Sequence, residues 1–355
     1  MKSNLSEHIK SYHNIKKRYT RPYIIAEAGV NHECSMDIAR QIIDEAKFGG
    51  ADAIKFQTYK AETIASINSP AYWDTNLEQT KNQFNLFKKY DKFWKKEFEL
   101  LKTYCDKLNI EFLSTPFDFE SAKFLNDLMD VFKISSSDLN NKPFIEYIAS
   151  FGKPIILSTG ASHIEEVKKA VSWFHDKVPS YALLHCILNY PTLDNNAELG
   201  MIEDLQAKFP NVMVGYSDHT LPGEMHNLEV ASLLGAKILE KHFTHNKSLK
   251  GNDHYHSMDK NDLVNFNKRL DRLSSLYGSG LKEPIGAEII SRQNARRSIV
   301  SICNLEKGHI LSKSDLTFKR PGTGIPPDDI EKVVGKKLKF SIEEDDIINW
   351  EMFLE

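Results

Sequence analysis

Two neighbouring stretches decide the fold: Val212-Met-Val-Gly-Tyr-Ser217, continued by Asp218-His219-Thr220, and Lys237-Ile-Leu-Glu-Lys-His242, continued by Phe243-Thr244. Each is a short apolar run, of the composition strands favour, that turns polar at its C-terminal end. Between them, residues 222–234 have the amphipathic spacing and length of a crossover helix. The same unit recurs upstream. Strands are predicted at residues 23–27, 53–57, 110–115, 131–136, 154–159 and 181–186, with helical stretches such as 36–48, 93–107 and 164–175 between them. Most of the strands are continuous apolar runs, the pattern of a parallel sheet covered on both faces. Eight units in about 250 residues give an α/β chain with the arithmetic of a (β/α)8 TIM barrel. The rival is an open doubly wound sheet. Two features favour the barrel: no GxGxxG follows the first strand, and polar residues gather at the ends of nearly all eight strands rather than around one crevice.

The chain of 355 residues has room for one large domain and a small one. Residues 1–21 read as a polar lead in which Lys16, Lys17, Arg18 and Arg21 form a solvated arm. The barrel is expected over 22–280, a linker with a helical segment over 281–296, and a β-rich module over 297–355. Short β-like pieces at 298–302, 338–340 and 347–350 alternate there with turns such as Arg320-Pro-Gly-Thr-Gly-Ile-Pro-Pro. A module of about sixty residues has a marginal core, so it is expected to lean on another surface. The formal net charge of -3 gives no global electrostatic case for nucleic acid or for an acidic membrane. No run approaches the roughly 18 apolar residues of a membrane span, and the N-terminus has no apolar core of signal type. A cytoplasmic protein is expected. Cys34, Cys105, Cys186 and Cys303 form no CxxC pair, so neither a zinc knot nor a disulfide framework is suggested.

In a barrel of this kind the chemistry sits where strands end. Those ends supply Glu27 with Asn31 and His32; Lys55 and Gln57; Ser114 and Thr115; Lys133, Ser135, Ser136 and Ser137; Ser158 and Thr159; His185, Asn189 and Tyr190; Ser217, Asp218 and His219; and Glu240 with His242. Singly, each has a bland explanation: a snorkelling lysine, a helix cap, a structural histidine. Together they are harder to dismiss. Lys55 and Lys133 alternate with apolar neighbours, which points both charges into the barrel mouth, and burying them is costly unless anions meet them. Two lysines among many hydroxyls suit a small anion carrying phosphate and carboxylate. His219 and His242, at the ends of adjacent strands, can converge on one divalent metal with positions left open for water and a substrate carbonyl. Asp218, Glu240 and Asp253 are the carboxylates within reach. The tasks of His254 and His256 stay open, and Asp253-His254-Tyr255-His256 also reads as a polar loop closing over the barrel.

The order of these segments resembles the sialic acid synthase family, with its legionaminic and pseudaminic acid relatives. The matching stretches are Ile25-Ala-Glu-Ala-Gly-Val-Asn-His32, Ala53-Ile-Lys-Phe-Gln-Thr58, Phe132-Lys-Ile-Ser-Ser136, Lys153-Pro-Ile-Ile-Leu-Ser-Thr-Gly160, His185-Cys186 with Tyr190-Pro191, Ser217-Asp-His-Thr220, Glu240-Lys-His-Phe-Thr244 and Arg320-Pro-Gly-Thr-Gly324. They span nearly the whole chain. The resemblance implies a barrel followed by an antifreeze-like (SAF) domain, and a homodimer in which that domain covers the partner's barrel. It implies phosphoenolpyruvate bound by Lys55, Thr115, Lys133, Ser136, Ser158 and Ser217. It implies Mn²⁺, or Mg²⁺ or Co²⁺ in its stead, on His219 and His242. Glu27, Gln57, Tyr190 and Asp253 would line the sugar side, with Arg320 reaching the sugar's acylamino group across the dimer and Glu240 as a further substrate-binding residue. The implied reaction joins phosphoenolpyruvate to an open-chain N-acylated aldose such as N-acetylmannosamine or a dideoxy relative. The metal activates the aldehyde, the methylene carbon attacks it, water adds to the resulting cation and phosphate leaves. By position, Glu27 is the first candidate for handling a proton.

Bacterial members of that family have His-Cys-Thr-Asn-Ile-Tyr-Pro where this chain has His185-Cys-Ile-Leu-Asn-Tyr-Pro191, so Asn189 is displaced by one residue. Three alternatives remain beside the first reading: a different or phosphorylated sugar, a sugar-phosphate synthase of the octulosonate or heptulosonate kind, and a non-catalytic sugar- or ice-binding protein. The C-terminal module and Arg320 speak against the second. Retention of both histidines and both lysines speaks against the third.

Overall fold

A computed structural model describes residues 4–14, 19–73, 75–76, 78–251 and 253–354. The chain divides after Gly280 into two compact units. The first is built on eight parallel strands: β1 (Tyr23–Gly29), β2 (Ala53–Thr58), β3 (Glu111–Pro116), β4 (Phe132–Ile134), β5 (Ile155–Ser158), β6 (Tyr181–Cys186), β7 (Met213–Asp218) and β8 (Ile238–His242). Their spatial order is β3-β2-β1-β8-β7-β6-β5-β4, and β3 and β4 adjoin at the seam. With a helix after every strand this is the expected (β/α)8 barrel.

Each crossover follows from local chemistry. The helix Met36–Gly49 starts at Ser35, whose hydroxyl accepts from the Ile38 amide, and stops at Gly50, which takes φ 91. Its buried residues Ala39, Ile42, Ile43 and Ala46 recur at helical spacing and form one apolar stripe. Along the strands, side chains alternate between two environments. Ile24, Ala26, Ala28, Ile54, Phe56, Phe112, Phe132, Ile134, Leu157, Val214, Tyr216 and Leu239 pack outward against the helices. Tyr23, Ile25, Ala53, Leu113, Val131, Ile156, Ala182, Leu184, Met213 and Ile238 fill the interior. Gly215 faces that interior where nothing larger fits: a Cβ there would lie 2.5 Å from the Ile238 carbonyl oxygen.

The N-terminal lead departs from expectation. A short helix, Leu5–Lys10, buries Leu5 and Ile9 against the interior residues at the strands' N-terminal ends. The Leu5 amide donates to Glu111 Oε2 at 2.8 Å, and the Tyr23 hydroxyl donates to the same oxygen at 2.6 Å. The lead is therefore the floor of the barrel. Arg21 is not part of a solvated arm either: its guanidinium donates to Asn267 Oδ1 and lies 3.7 Å from Asp52. Lys16, Lys17 and Arg18 lie outside the described residues. Strand β4 is shorter than expected because Ser136–Asp138 turns into a 3-10 helix capped by Ser135. Among the described residues no helix is long and apolar enough to cross a membrane.

The second unit holds a helix, Ile289–Ala295, and an antiparallel pair, β9 (Ser298–Ser301) with β10 (Leu316–Lys319). Its core gathers Ile299, Leu305, Leu311, Leu316, Ile325, Val333, Leu338, Ile342, Ile348 and Phe353. The strand expected at 338–340 is a single bridge from Leu338 to Phe353, and that at 347–350 reduces to a bridge from Ile347 to Val300 before a 3-10 turn, Trp350–Met352.

Candidate functional site

The inward register that fills the barrel floor with apolar groups turns polar toward the strands' C-terminal ends. Two residues beyond Ile25 stands Glu27. Beyond Ala53 come Lys55 and Gln57, beyond Val131 Lys133, and beyond Ile156 Ser158. Beyond Leu184 comes Cys186, and beyond Ile238 come Glu240 and His242. The alternation of a strand thus delivers one polar set to one mouth.

Half of that mouth is cationic and hydroxyl-bearing. Lys55 Nζ donates to Thr115 Oγ1 at 3.0 Å, pairs with Glu27 and lies 3.7 Å from Glu240 Oε1. Lys133 Nζ approaches the same Glu240 oxygen at 3.3 Å, and the Ser217 hydroxyl donates to it at 3.0 Å. All four charged groups are buried. Burial opposes the Glu240 charge, but Lys133 and Lys55 override it and hold the carboxyl down at about 2. Burial dominates at Glu27, whose carboxyl rises despite Lys55. At Lys55 burial is outweighed by Glu240 and Glu27, which keep the ammonium charged. The two lysines therefore meet protein carboxylates, where the sequence pointed only to a ligand's anions. Glu240 pairs with the two lysines rather than with the histidines.

Hydroxyls and an amide complete this half. The Ser136 hydroxyl accepts from the Gly160 amide at 2.9 Å, and Ser158 Oγ is buried with no partner. A Cβ on Gly160 would meet Ser136 Oγ at 3.0 Å, so the glycine keeps that amide within reach of the site. Cys186 points inward too, 3.6 Å from Ser136 Oγ and 3.7 Å from His219 Nδ1, with burial raising its thiol to about 11. The alternation of Ala182, Leu184 and Cys186 could have revealed it from sequence.

The other half holds imidazoles. His219 Nδ1 donates to the Ile187 carbonyl at 2.8 Å, which leaves Nε2 as the free acceptor. Burial lowers its pKa to about 4, so the ring is neutral near pH 7. The His219 and His242 centroids are 5.5 Å apart, and Tyr190 lies 4.2 Å from the former. His242 Nδ1 is buried without a hydrogen bond, and Asp253 Oδ2 lies 3.6 Å from it. Asp253, His242 and His256 offer donor atoms that all lie within 4.8 Å of one another, a set that excludes His219. Neutral nitrogens beside a carboxylate fit a divalent cation.

The loop after β8 explains this convergence. Met258 donates to the His242 carbonyl at 2.8 Å and Thr244 to that of Met258 at 3.0 Å, so the chain returns to the strand it left. Asn31 fastens the loop through the Phe243 carbonyl and Ser257 at 3.0 and 3.1 Å. A closed loop has no periodicity for a sequence reading to detect, which is why the place of His256 was not foreseen.

Several named residues are not in the site. Asp218 faces outward, paired with Lys241 at 2.6 Å and bonded by Tyr216 at 2.9 Å. His185 stacks on Tyr216 and bonds the Ala197 carbonyl. His32 stacks on Phe93. His254 is held by Thr244 at 2.8 Å, and Asn189 is exposed. Gln57 stays at the mouth, donating to Glu27 Oε1 at 3.1 Å. Arg320 is an exposed residue of the second unit. Beside His242 and Asp253 opens a cavity of about 260 Å³ walled by Ile64, Tyr72, Trp73, Phe87, Phe117 and Leu188. Among the described residues no lysine or arginine lines it.

Residues 42–282 match the NeuB family, and residues 296–354 match the SAF domain. The N,N'-diacetyllegionaminic acid synthase of Legionella pneumophila is 37% identical over 93% of this chain and 94% of that protein. The N-acetylneuraminate-9-phosphate synthase of Homo sapiens is 31% identical over 93% of this chain and 92% of its own length. The crystal structure of an N-acetylneuraminic acid (sialic acid) synthetase from Leptospira borgpetersenii, in complex with citrate, is similar with a TM-score of 0.69 at 35% identity. That match covers 77% of this chain and 90% of that one.

Proposed function

Because the chain belongs to the NeuB family, we propose that it is a nonulosonic acid synthase, a transferase that condenses phosphoenolpyruvate with an N-acylated aldose and releases phosphate. The observation that carries this reading is the division of one barrel mouth into two halves. One presents Lys55 and Lys133 with Thr115, Ser136, Ser158 and Ser217. The other presents His219, His242 and Asp253.

Phosphoenolpyruvate belongs in the first half. Lys55 and Lys133 stabilise its carboxylate and phosphate, and the serine and threonine hydroxyls donate to its oxygens, with Ser136 held in place by the Gly160 amide. Glu240 holds the two ammonium groups between turnovers. Glu27, whose carboxyl burial has raised, is suited to take and return a proton near the aldehyde or the attacking water. Gln57 and Tyr190 orient the sugar. A divalent metal, Mn²⁺ by preference and Mg²⁺ or Co²⁺ otherwise, would be held by His219 and His242 and would supply Lewis-acid polarisation of the aldehyde. The free Nε2 of His219 and the unpaired Nδ1 of His242 fit that role. The active form is a homodimer in which the C-terminal module of one chain covers the partner's barrel and Arg320 meets the sugar's acylamino group. A cytoplasmic setting agrees with the four free cysteines.

The sugar is read as unphosphorylated, because the cavity beside His242, lined by aromatic, serine and glutamine side chains, offers no cation to a phosphate among the described residues. The test measures phosphate release with phosphoenolpyruvate, metal and a panel of acylamino aldoses, free and 6-phosphorylated. Release only when all three are present, and faster with free sugars, is expected. Turnover with arabinose 5-phosphate but with no acylamino aldose would overturn the assignment.

A further inference from the structure

His256 has no task in the reaction above, yet it is fully buried and neither ring nitrogen has a hydrogen-bond partner. An imidazole taken out of water with both nitrogens unsatisfied costs free energy that nothing within the protein returns. Such a group is explained when a ligand comes to it. Its neighbours identify the kind of ligand. Asp253 Oδ1 lies 3.9 Å from His256 Nε2, Asp253 Oδ2 lies 3.6 Å from His242 Nδ1, and the His242 and His256 rings meet at 4.9 Å. His242 Nδ1 is itself unpartnered. An anion would gain nothing from Asp253, whereas a cation meets two nitrogen lone pairs and a carboxylate in one buried space.

We propose that His256 is a ligand of a divalent transition-metal ion, which it holds together with His242 and Asp253 beside His219. The proposal deepens the synthase reading and rests on it for the ion's use in catalysis. A further imidazole shifts preference along the order that favours nitrogen donors, so Co²⁺ and Zn²⁺ gain more than Mg²⁺ does. With His219 the protein ligands number four, and a six-coordinate ion still keeps positions open for water and a substrate oxygen.

The experiment strips the full-length protein with a chelator and titrates it with Co²⁺, reading the visible absorption of the bound ion, with Mg²⁺ as competitor. Two variants are compared with the wild type. His256→Ala removes the ring, and His256→Phe removes the nitrogens but keeps the volume. Melting of each metal-free protein is measured first, and the outcome is decided on the Phe variant. The expected result is a loss of Co²⁺ affinity of roughly tenfold or more with a changed spectrum, and a smaller change for Mg²⁺. His254→Ala, whose ring is engaged by Thr244, should bind Co²⁺ as the wild type does. Wild-type affinity and spectrum in His256→Phe would overturn the proposal and leave the ion to His219 and His242. No turnover enters these measurements, so failure of the synthase reading would show only in phosphate release.

Discussion

Lys55, Lys133 and Ser217 stand on three different strands and converge on one oxygen of Glu240. Removing that charge leaves two ammonium groups below a tenth exposed with only Glu27 beside them. Glu240→Gln should therefore cost roughly 3–5 kcal/mol of stability, read by urea unfolding, and phosphoenolpyruvate should stabilise the variant more than the wild type. A loss below about 0.5 kcal/mol would show that the charges are not coupled. Because the folded carboxyl sits at about 2, below its unfolded value, this contribution is present at neutral pH and is lost as the pH falls below the ordinary carboxylate range. Asp138, just past β4, has the opposite sign. Burial lifts its carboxyl to about 6, and the hydrogen bond from Asn141 only partly offsets that. The fold favours the protonated form, so this contribution is full below the ordinary carboxylate pKa and is lost as the pH rises through about 6. Asp138→Asn should remove that slope and raise the unfolding free energy at pH 7 by about 1–2 kcal/mol; equal stability of the two proteins at pH 7 would contradict it. At this scale sequence reached the two lysines and the two histidines, because strand alternation fixes which way a residue points. It did not reach the sharing of Glu240, which depends on distances across the barrel, nor His256, which sits on an aperiodic loop.

The elements were legible wherever hydrophobic periodicity was long enough to read. β6 was found at its observed bounds, and the other strands to within one or two residues at each end. The N-terminal helix was not, because a six-residue helix with Leu5 and Ile9 as its apolar pair gives too few turns to show a stripe. Its place under the barrel has an energetic consequence. Leu5 is 0% exposed among interior residues such as Tyr23, Leu113 and Ile238. Leu5→Ala should destabilise the barrel by roughly 2–4 kcal/mol, as a core truncation does, lowering the melting temperature without changing KM for either substrate. A solvated lead would give a change within about 0.5 kcal/mol, and thermal melting distinguishes the two. The floor and the mouth are separate ends of one interior. This is why the first can be weakened while the second keeps its geometry.

At the scale of the molecule, the sequence places the barrel's end at 280, a linker over 281–296 and a second module from 297, and the chain divides after Gly280. The helix Ile289–Ala295 goes with the second unit, through the Gly322 amide bonded to the Gln293 carbonyl at 2.7 Å. None of residues 281–297 is buried, and the unit's own core is small. This unit carries Arg320, and the proposed homodimer gives that residue a use in the partner's barrel. The arrangement has an arithmetic signature. Arg320→Ala spoils the contribution a chain makes to its partner, and Lys55→Met spoils the barrel a chain keeps for itself. In a two-fold dimer with shared sites, a mixed pair joins one intact barrel to one intact Arg320 and has one working site of two. Equal mixing with free exchange makes about half the dimers mixed, so about a quarter of wild-type activity should return from two nearly inactive proteins. If each chain completed its own site, every mixed dimer would be dead, because each chain would lack one part. Phosphate release from unfolded and co-refolded mixtures, measured across mixing ratios, separates the cases: a maximum at equal proportions requires sharing, a flat baseline assigns Arg320 to its own chain's site, and wild-type activity of Arg320→Ala alone would remove it from any site.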